Sequence, residues 1–234
     1  VLHQAIIGIL EPHLERSLDP DSFACRKGRG VDAALRRARA LTRPRSFILK
    51  SDIRKCFPSM DLGILKAILA RRIKDRRLLA LLERIVDHAS GSSHDDDLGR
   101  GLPLGNLTSQ WFANLYLDRL DRFVRHELKP RGYLRYMDDF ALVDEDRSKI
   151  RSALDELTCW IRDELKLELK REVTGLHEGR RGWPFLGFRI YPDRLRLRRA
   201  TWRRFRKRLG KASHEYRRGR LQADELARSA ECMI

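Results

Sequence analysis

The stretch "RGYLRYMDDFALV", residues 131–143, sets two adjacent aspartates inside a run of aromatic and aliphatic side chains. Adjacency alone means little, since 33 acids among 234 residues give roughly five neighbouring pairs by chance. The surroundings carry the signal: unpaired charge between two apolar arms costs on the order of several kcal/mol, so Asp138 and Asp139 call for a cation. A third carboxylate is available in "SFILKSDIRKCFPSMD", where the apolar strand Phe47 to Leu49 runs straight into Asp52. Neighbouring antiparallel strands would bring the three within coordination distance. Oxygen-only ligands favour Mg²⁺ or Mn²⁺, hard ions that accept phosphate oxygens. Two such ions roughly 4 Å apart form the clamp for in-line phosphoryl transfer, one activating a 3′-hydroxyl and the other neutralising pyrophosphate. The chemistry implied is nucleotide polymerisation.

The elements that must hold these residues follow from periodicity. Tyr133–Met137 and Phe140–Val143 read as the arms of a hairpin with Asp138 and Asp139 at its tip. Helical spacing of apolar residues predicts helices at the start of the chain (Ile6, Ile7, Leu10, Leu14), across "LGILKAILARRI" and "RRLLALLERIVDHA", from Thr108 to Glu127, and through Ile150, Leu154, Leu157, Ile161 and Leu165. Asn106 or Thr108 would cap the fourth of these. "PFLGFRIYP" predicts a further strand. The order α-β-α-α-α-β-β-α-β-α gives an α+β fold in which a small antiparallel sheet is backed by helices.

Composition narrows the partner. A formal net charge of +17 from 50 Lys and Arg points to a polyanion, nucleic acid first. The absence of an apolar run near the roughly 20 residues of a membrane span, and of a signal-peptide pattern, predicts a soluble intracellular protein and no membrane partner. Cys25, Cys56, Cys159 and Cys232 are scattered with no C-x-x-C pair, which suggests neither zinc nor a disulfide framework. "HDDD", His94 to Asp97, reads as a solvated surface loop rather than a metal site. Between residues 194 and 220 there are 13 Lys and Arg and one acid, Glu215. Trp202, Phe205, Leu209, Ala212 and Tyr216 form an apolar stripe on that basic helix, suited to packing on a lobe while gripping phosphates; a helix lying on a membrane surface has the same pattern.

"YMDD" following "SDIRKCF" and "GLPLGNLTSQ" resembles the palm of the reverse transcriptases, over nearly the whole chain. The resemblance implies a right-hand polymerase: partial fingers over 1–46, a palm over 47–192 with a fingers-like helical insertion around 62–100, and the start of a basic helical thumb over 193–234. It implies two Mg²⁺ ions, with Mn²⁺ as a substitute, held by Asp52, the backbone carbonyl of Ile53, Asp138 and Asp139, the first of the adjacent pair being the firmer ligand. Phe57 would be an aromatic gate against the ribose 2′-hydroxyl. Leu104, Gly105, Gln110 and Lys170 would face the incoming nucleotide, Lys170 as a proton donor to pyrophosphate or simply as a lysine on an exposed strand edge. Arg26, Lys27, Gly28 and Arg29 of "RKGRG" would touch template, or form an ordinary basic turn. Tyr136, Met137 and Gly187 would lie along the primer, Gly187 equally readable as a bulge, while Arg203 and Arg206 would grip the backbone.

Most reverse transcriptases carry Leu-Pro-Gln-Gly and then Ser-Pro, whereas this chain has Leu102-Pro103-Leu104-Gly105 and then Ser109-Gln110. That altered form, with "RKGRG" and "FLGFRIYP", is similar to the reverse transcriptases of diversity-generating retroelements, which copy RNA into cDNA with errors concentrated at template adenines. Leu104 in place of a polar side chain removes a hydrogen bond that would discipline the incoming nucleotide, so lower fidelity is expected. The resemblance further implies a cytoplasmic enzyme of bacterial or phage origin. It would use template RNA, a DNA or RNA primer, dNTPs and a small basic helical accessory protein. The chain reads as a piece of a longer protein, without the upstream basic finger residues that grip a triphosphate. A group II intron, retron or phage-defence reverse transcriptase is the alternative within the chemistry. A non-catalytic RNA-binding scaffold on a polymerase palm is the alternative outside it, disfavoured by the joint presence of Asp52, Phe57, Asp138 and Asp139. A right-handed RNA-dependent RNA polymerase is disfavoured because Met137 stands where such enzymes generally carry Gly.

Overall fold

The structure, a computed structural model, describes residues 2–90, 99–103 and 106–225. The His94–Asp97 loop, Leu104, Gly105 and Cys232 lie outside them. Strands β1 (Phe47–Asp52), β2 (Gly132–Tyr136), β3 (Asp139–Asp144) and β4 (Gly175–Glu178) form an antiparallel sheet in the order β2-β3-β1-β4. Alternation along the strands sends side chains to two separate cores. On one face Leu49, Tyr133, Phe140 and Leu142 pack with α6 (Leu107–Phe123) and α7 (Arg147–Leu165), a core that also takes in α1 (Leu2–Glu15), α4 (Leu62–Arg72) and α5 (Arg76–Ser90). On the other, Ile48, Leu134, Ala141 and Val143 meet Ala34, Leu35 and Ala38 of α2 (Val31–Leu41) and the side chains Trp183, Phe185 and Ile190. A sheet buried on both sides explains why its strands are near-continuous apolar runs, and why the charges inside them need a reason.

The predicted helices are all present, with α6 ending in a π-helical turn, Val124–Leu128, so that together they cover the expected Thr108–Glu127 span. Asn106 occupies the N-cap position of α6 without a side-chain capping bond, while the Thr108 hydroxyl is paired with His3 Nδ1 at 2.8 Å.

Two expectations change. "PFLGFRIYP" is a hairpin, β5 (Trp183–Phe185) and β6 (Phe188–Ile190), extended by β7 (Leu195–Leu197) into a second, three-stranded sheet. Leu186 and Gly187 are both left-handed (φ 44° and 85°), the pattern of a tight two-residue turn whose twist matches the flanking strands. The Asp pair is also not symmetric about its hairpin tip: Tyr136 is paired with Asp139, which opens β3, so the turn itself is Met137–Asp138.

The free edge of β2 is covered by residues 21–23: Phe23 N–H donates to Arg135 O (2.9 Å) and Arg135 N–H to Asp21 O (2.8 Å). The C-terminal α8 (Arg199–Arg217) has no buried residue; Phe205, Leu209 and Ala212 are half-buried, while Trp202 and Tyr216 stand exposed.

Candidate active site

Antiparallel pairing of β1 with β3 sets Asp52 directly opposite Asp139. Opposed residues in such a ladder project from the same face. Asp138, in the turn, is tied to the same place through its carbonyl, which accepts the Ile53 N–H at 3.1 Å. The chain after α7 then runs back along the end of β1: Arg54 N–H donates to Glu168 O and Lys170 N–H to Asp52 O, each at 2.8 Å. Lys170 thus sits beside Asp52 by backbone pairing, in a loop rather than on a strand edge, with its side chain in solvent. Phe57, half-buried in the short helix α3 (Cys56–Ser59), accepts the Leu102 N–H on its carbonyl at 2.9 Å, so Leu102-Pro103 and Phe57 are neighbours. Gln110 is half-buried in the first turn of α6.

The electrostatics are those of crowded carboxylates. Burial, then the Asp52 charge, raises Asp138 above the usual carboxylate range. Asp139 is pushed up to about 7, chiefly by burial and then by Asp52 and Asp138, against the opposing pull of Lys50. Lys50 lies two residues before Asp52 on the same face, with its Nζ 3.1 Å from Asp139 Oδ1 and its side chain 8% exposed. That contact is an ion pair without hydrogen-bond geometry, which leaves the buried Oδ1 with no hydrogen-bond donor. No motif singles Lys50 out, yet a lysine inside "FILKSD" two positions from an aspartate is a legible signal for this pairing. Cys56 is buried next to this cluster, its thiol pushed up by burial and by Asp138, which makes it inert.

Asp52, Asp138 and Asp139 supply hard oxygen ligands, and the buried Asp139 Oδ1, which has Lys50 as an ion-pair partner but no hydrogen-bond donor, is a group that a divalent cation would satisfy, so the residues fit Mg²⁺ or Mn²⁺. Among the described residues no three His, Cys, Asp or Glu side chains are gathered closely enough to hold a cation as they stand. The raised carboxylates carry a pH signature. Each binds a proton more tightly in the folded than in the unfolded chain, so the stability these two groups contribute is fully present below about pH 4 and falls as pH rises, for Asp139 until it has ionised through about 7. Denaturation in chelator is therefore expected to show wild type losing roughly 2 kcal/mol relative to Asp139→Asn between pH 5 and 8; a flat difference would contradict the assignment.

The "RKGRG" turn divides. Arg26 is turned inward: its guanidinium bonds both Glu15 carboxylate oxygens (2.7–2.9 Å) and the carbonyls of Asp19 (2.6 Å) and Ser22 (2.7 Å), so it is withheld from any template. Arg29 lies over the Phe23 ring and donates to Pro20 O. Lys27, 89% exposed and 3.3 Å from Glu11, and Gly28, with φ 70°, face solvent. Gly187 closes the β5–β6 turn and its carbonyl receives Arg198 N–H and the Thr201 hydroxyl, anchoring α8. Arg203 and Arg206 are exposed on α8, and Tyr136 and Met137 are half-buried at the turn.

Residues 1–190 match the family described as reverse transcriptase (RNA-dependent DNA polymerase). The chain is a member of the reverse transcriptase family. It is similar to YkfC of Escherichia coli strain K12, 23% identical over 84% of the chain and 61% of that protein. It is also similar to an uncharacterized 91 kDa protein in cob intron from Schizosaccharomyces pombe, 29% identical over 50% of the chain and 15% of that protein. The chain thus spans less than two thirds of these relatives. Among solved structures, a Candida tropicalis telomerase in complex with a TWJ fragment of telomeric RNA superposes with a TM-score of 0.66 at 10% identity, over 97% of this chain and 44% of that one. The fold of this family member is therefore an α+β polymerase palm. No helix among its described residues is long and apolar enough to cross a membrane.

Proposed function

We propose that this chain is the polymerising core of an RNA-directed DNA polymerase that makes cDNA on an RNA template. The observation that carries the reading is the β1–β3 register, which opposes Asp52 and Asp139 while the turn carbonyl of Asp138 is bonded to the residue after Asp52. Asp52, Asp138, Asp139 and the carbonyl of Ile53 would hold two Mg²⁺ ions, or Mn²⁺. When bound, these supply activation of the primer 3′-hydroxyl and neutralisation of the leaving pyrophosphate. Phe57, Leu104, Gly105 and Gln110 would receive the dNTP, with Lys170 as donor on the pyrophosphate side. Lys50 holds Asp139 in place through its ion pair. Residues 1–46, 47–192 and 193–234 serve as fingers, palm and start of the thumb.

Template and primer would be gripped by Lys27, Gly28, Arg29, Tyr136, Met137, Gly187, Arg203 and Arg206, most of them basic or backbone contacts of the sequence-independent kind. The double variant Arg203→Ala/Arg206→Ala is expected to weaken primer–template binding alike across sequences. It should lower the slope of log affinity against log salt by about 2, one per phosphate contact removed; titration at several salt concentrations measures it.

Within the family we assign the error-prone, diversity-generating kind, on Leu102-Pro103-Leu104-Gly105 with Ser109-Gln110, working with a small basic helical accessory protein. A second reading, an intron-associated kind, is favoured by the names of relatives such as the cob intron protein and nuclear intron maturase 1 of Arabidopsis thaliana. Sequencing of extension products by template base separates them. Errors concentrated opposite adenine support the first, and uniform fidelity the second.

A further inference from the structure

We propose that Arg135 is a positioning residue for the reacting carboxylate of Asp138, acting from inside the core on the backbone of the turn that carries it. The inference rests on the reading of Asp138 as a ligand of the catalytic ion. Arg135 belongs to β2, and its side chain is entirely buried against the equally buried Asp121 of α6. Nε and Nη2 form a two-pronged bridge to Asp121 at 2.7 and 2.6 Å. Asp121 also accepts the Tyr133 hydroxyl at 2.6 Å. Neutralising Asp121 would need no more than that. The remaining nitrogen, Nη1, is turned the other way, to Asn114 Oδ1 at 3.2 Å and to the carbonyl of Met137 at 3.1 Å. Asn114 is itself fixed, because its Nδ2 donates to Ala24 O at 2.9 Å.

The Met137 carbonyl is a particular place to put a buried cation. Met137 is left-handed, φ 57°, in the two-residue turn between Tyr136 and Asp139. A side chain with a Cβ is disfavoured there, so the turn needs support from outside itself. The next carbonyl along, that of Asp138, is held from the opposite side by Ile53 N–H. The two peptide planes flanking the Asp138 Cα are therefore both pinned, one from the core through Arg135 and one from β1. With both planes fixed, the Cα–Cβ bond of Asp138 has one direction, toward the strand end that bears Asp52. The same guanidinium reaches the backbone of residues 21–25 through Asn114, so the segment that covers the β2 edge and the catalytic turn share one anchor.

Removing one partner of a buried pair leaves an uncompensated charge and obscures the role, whereas a neutral pair can preserve the fold. The test is the full-length protein with Arg135→Met/Asp121→Asn, which keeps an acceptor for the Tyr133 hydroxyl. Arg135→Lys, which keeps a charge for Asp121 but cannot reach three partners, is its companion. Three quantities are read: amide exchange at Ile53 against Leu49 and Leu142, Mn²⁺ affinity by electron paramagnetic resonance, and kcat and KM for the dNTP. Expected are Ile53 exchange faster by about tenfold or more with Leu49 and Leu142 unchanged, Mn²⁺ binding weaker by about tenfold, and kcat reduced with KM nearly kept. Unchanged Ile53 exchange and Mn²⁺ affinity would overturn the proposal, as would all three amides accelerating together or failure of both variants to fold, since the pair would then serve the fold alone. Absence of extension by wild type would sink the polymerase reading instead, while the exchange and Mn²⁺ comparisons would still decide the role of Arg135.

Discussion

Asp138→Asn is expected to abolish primer extension, by about three orders of magnitude or more, while raising the thermal stability of the metal-free protein. The two effects share one cause. The carboxylate is partly buried and faces Asp52, so its ionised form is disfavoured in the fold without a cation. Its amide replacement removes that repulsion and stabilises by on the order of 1 kcal/mol, as substitutions at strained functional sites often do. Loss of the charge would remove a ligand of the proposed ion, which would contribute several kcal/mol to the transition state, and each 1.36 kcal/mol is about tenfold in rate. Extension assays alongside melting curves in chelator measure both. A variant that is inactive but destabilised would mean that Asp138 supports the fold rather than the chemistry.

Phe57→Val is expected to lower discrimination against ribonucleotides by about a hundredfold while leaving dNTP incorporation within roughly tenfold of wild type. Phe57 is half-buried and packed against the main core, its backbone is tied to Leu102, and Met137 of the β2–β3 turn packs against the same core. A ring held on that floor would exclude a 2′-hydroxyl by contact, and a shorter side chain would open the space without disturbing the carboxylates. The ratio of kcat/KM for a dNTP and the matching ribonucleotide is the readout. An unchanged ratio would place the sugar elsewhere.

The parts of this molecule that were legible in its sequence are those where burial leaves a periodic mark. The acids stand out because β1 and β3 are buried on both faces, so a charge at their ends breaks an apolar run. The helices α6 and α7 carry long apolar stripes and fall where periodicity puts them. The rest lacks such marks. β4, "GLHE", is short and only half-buried, with no alternation to read. Leu186-Gly187 continues an apolar run, so the β5–β6 turn hides inside what reads as one strand. Direction is the other thing a one-dimensional pattern withholds. "RKGRG" looks uniformly basic, yet Arg26 points inward because Glu15 and two carbonyls wait there while Lys27 points out. Asp138 and Asp139 look equivalent, yet one sits in the turn and the other is a strand residue with Lys50 beside it. Arg135 and Asp121, on a strand and a helix and 14 residues apart in sequence, form a pair only in the folded chain.

The most direct test of the central claim is extension of a labelled primer on an RNA template by the full-length protein with dNTPs, run with Mg²⁺, with Mn²⁺ and with chelator. Template-directed DNA synthesis is expected with either metal and none in chelator. RNA binding of undiminished strength with no nucleotide added under either metal would contradict it, and would leave a polymerase palm that serves as an RNA-binding scaffold.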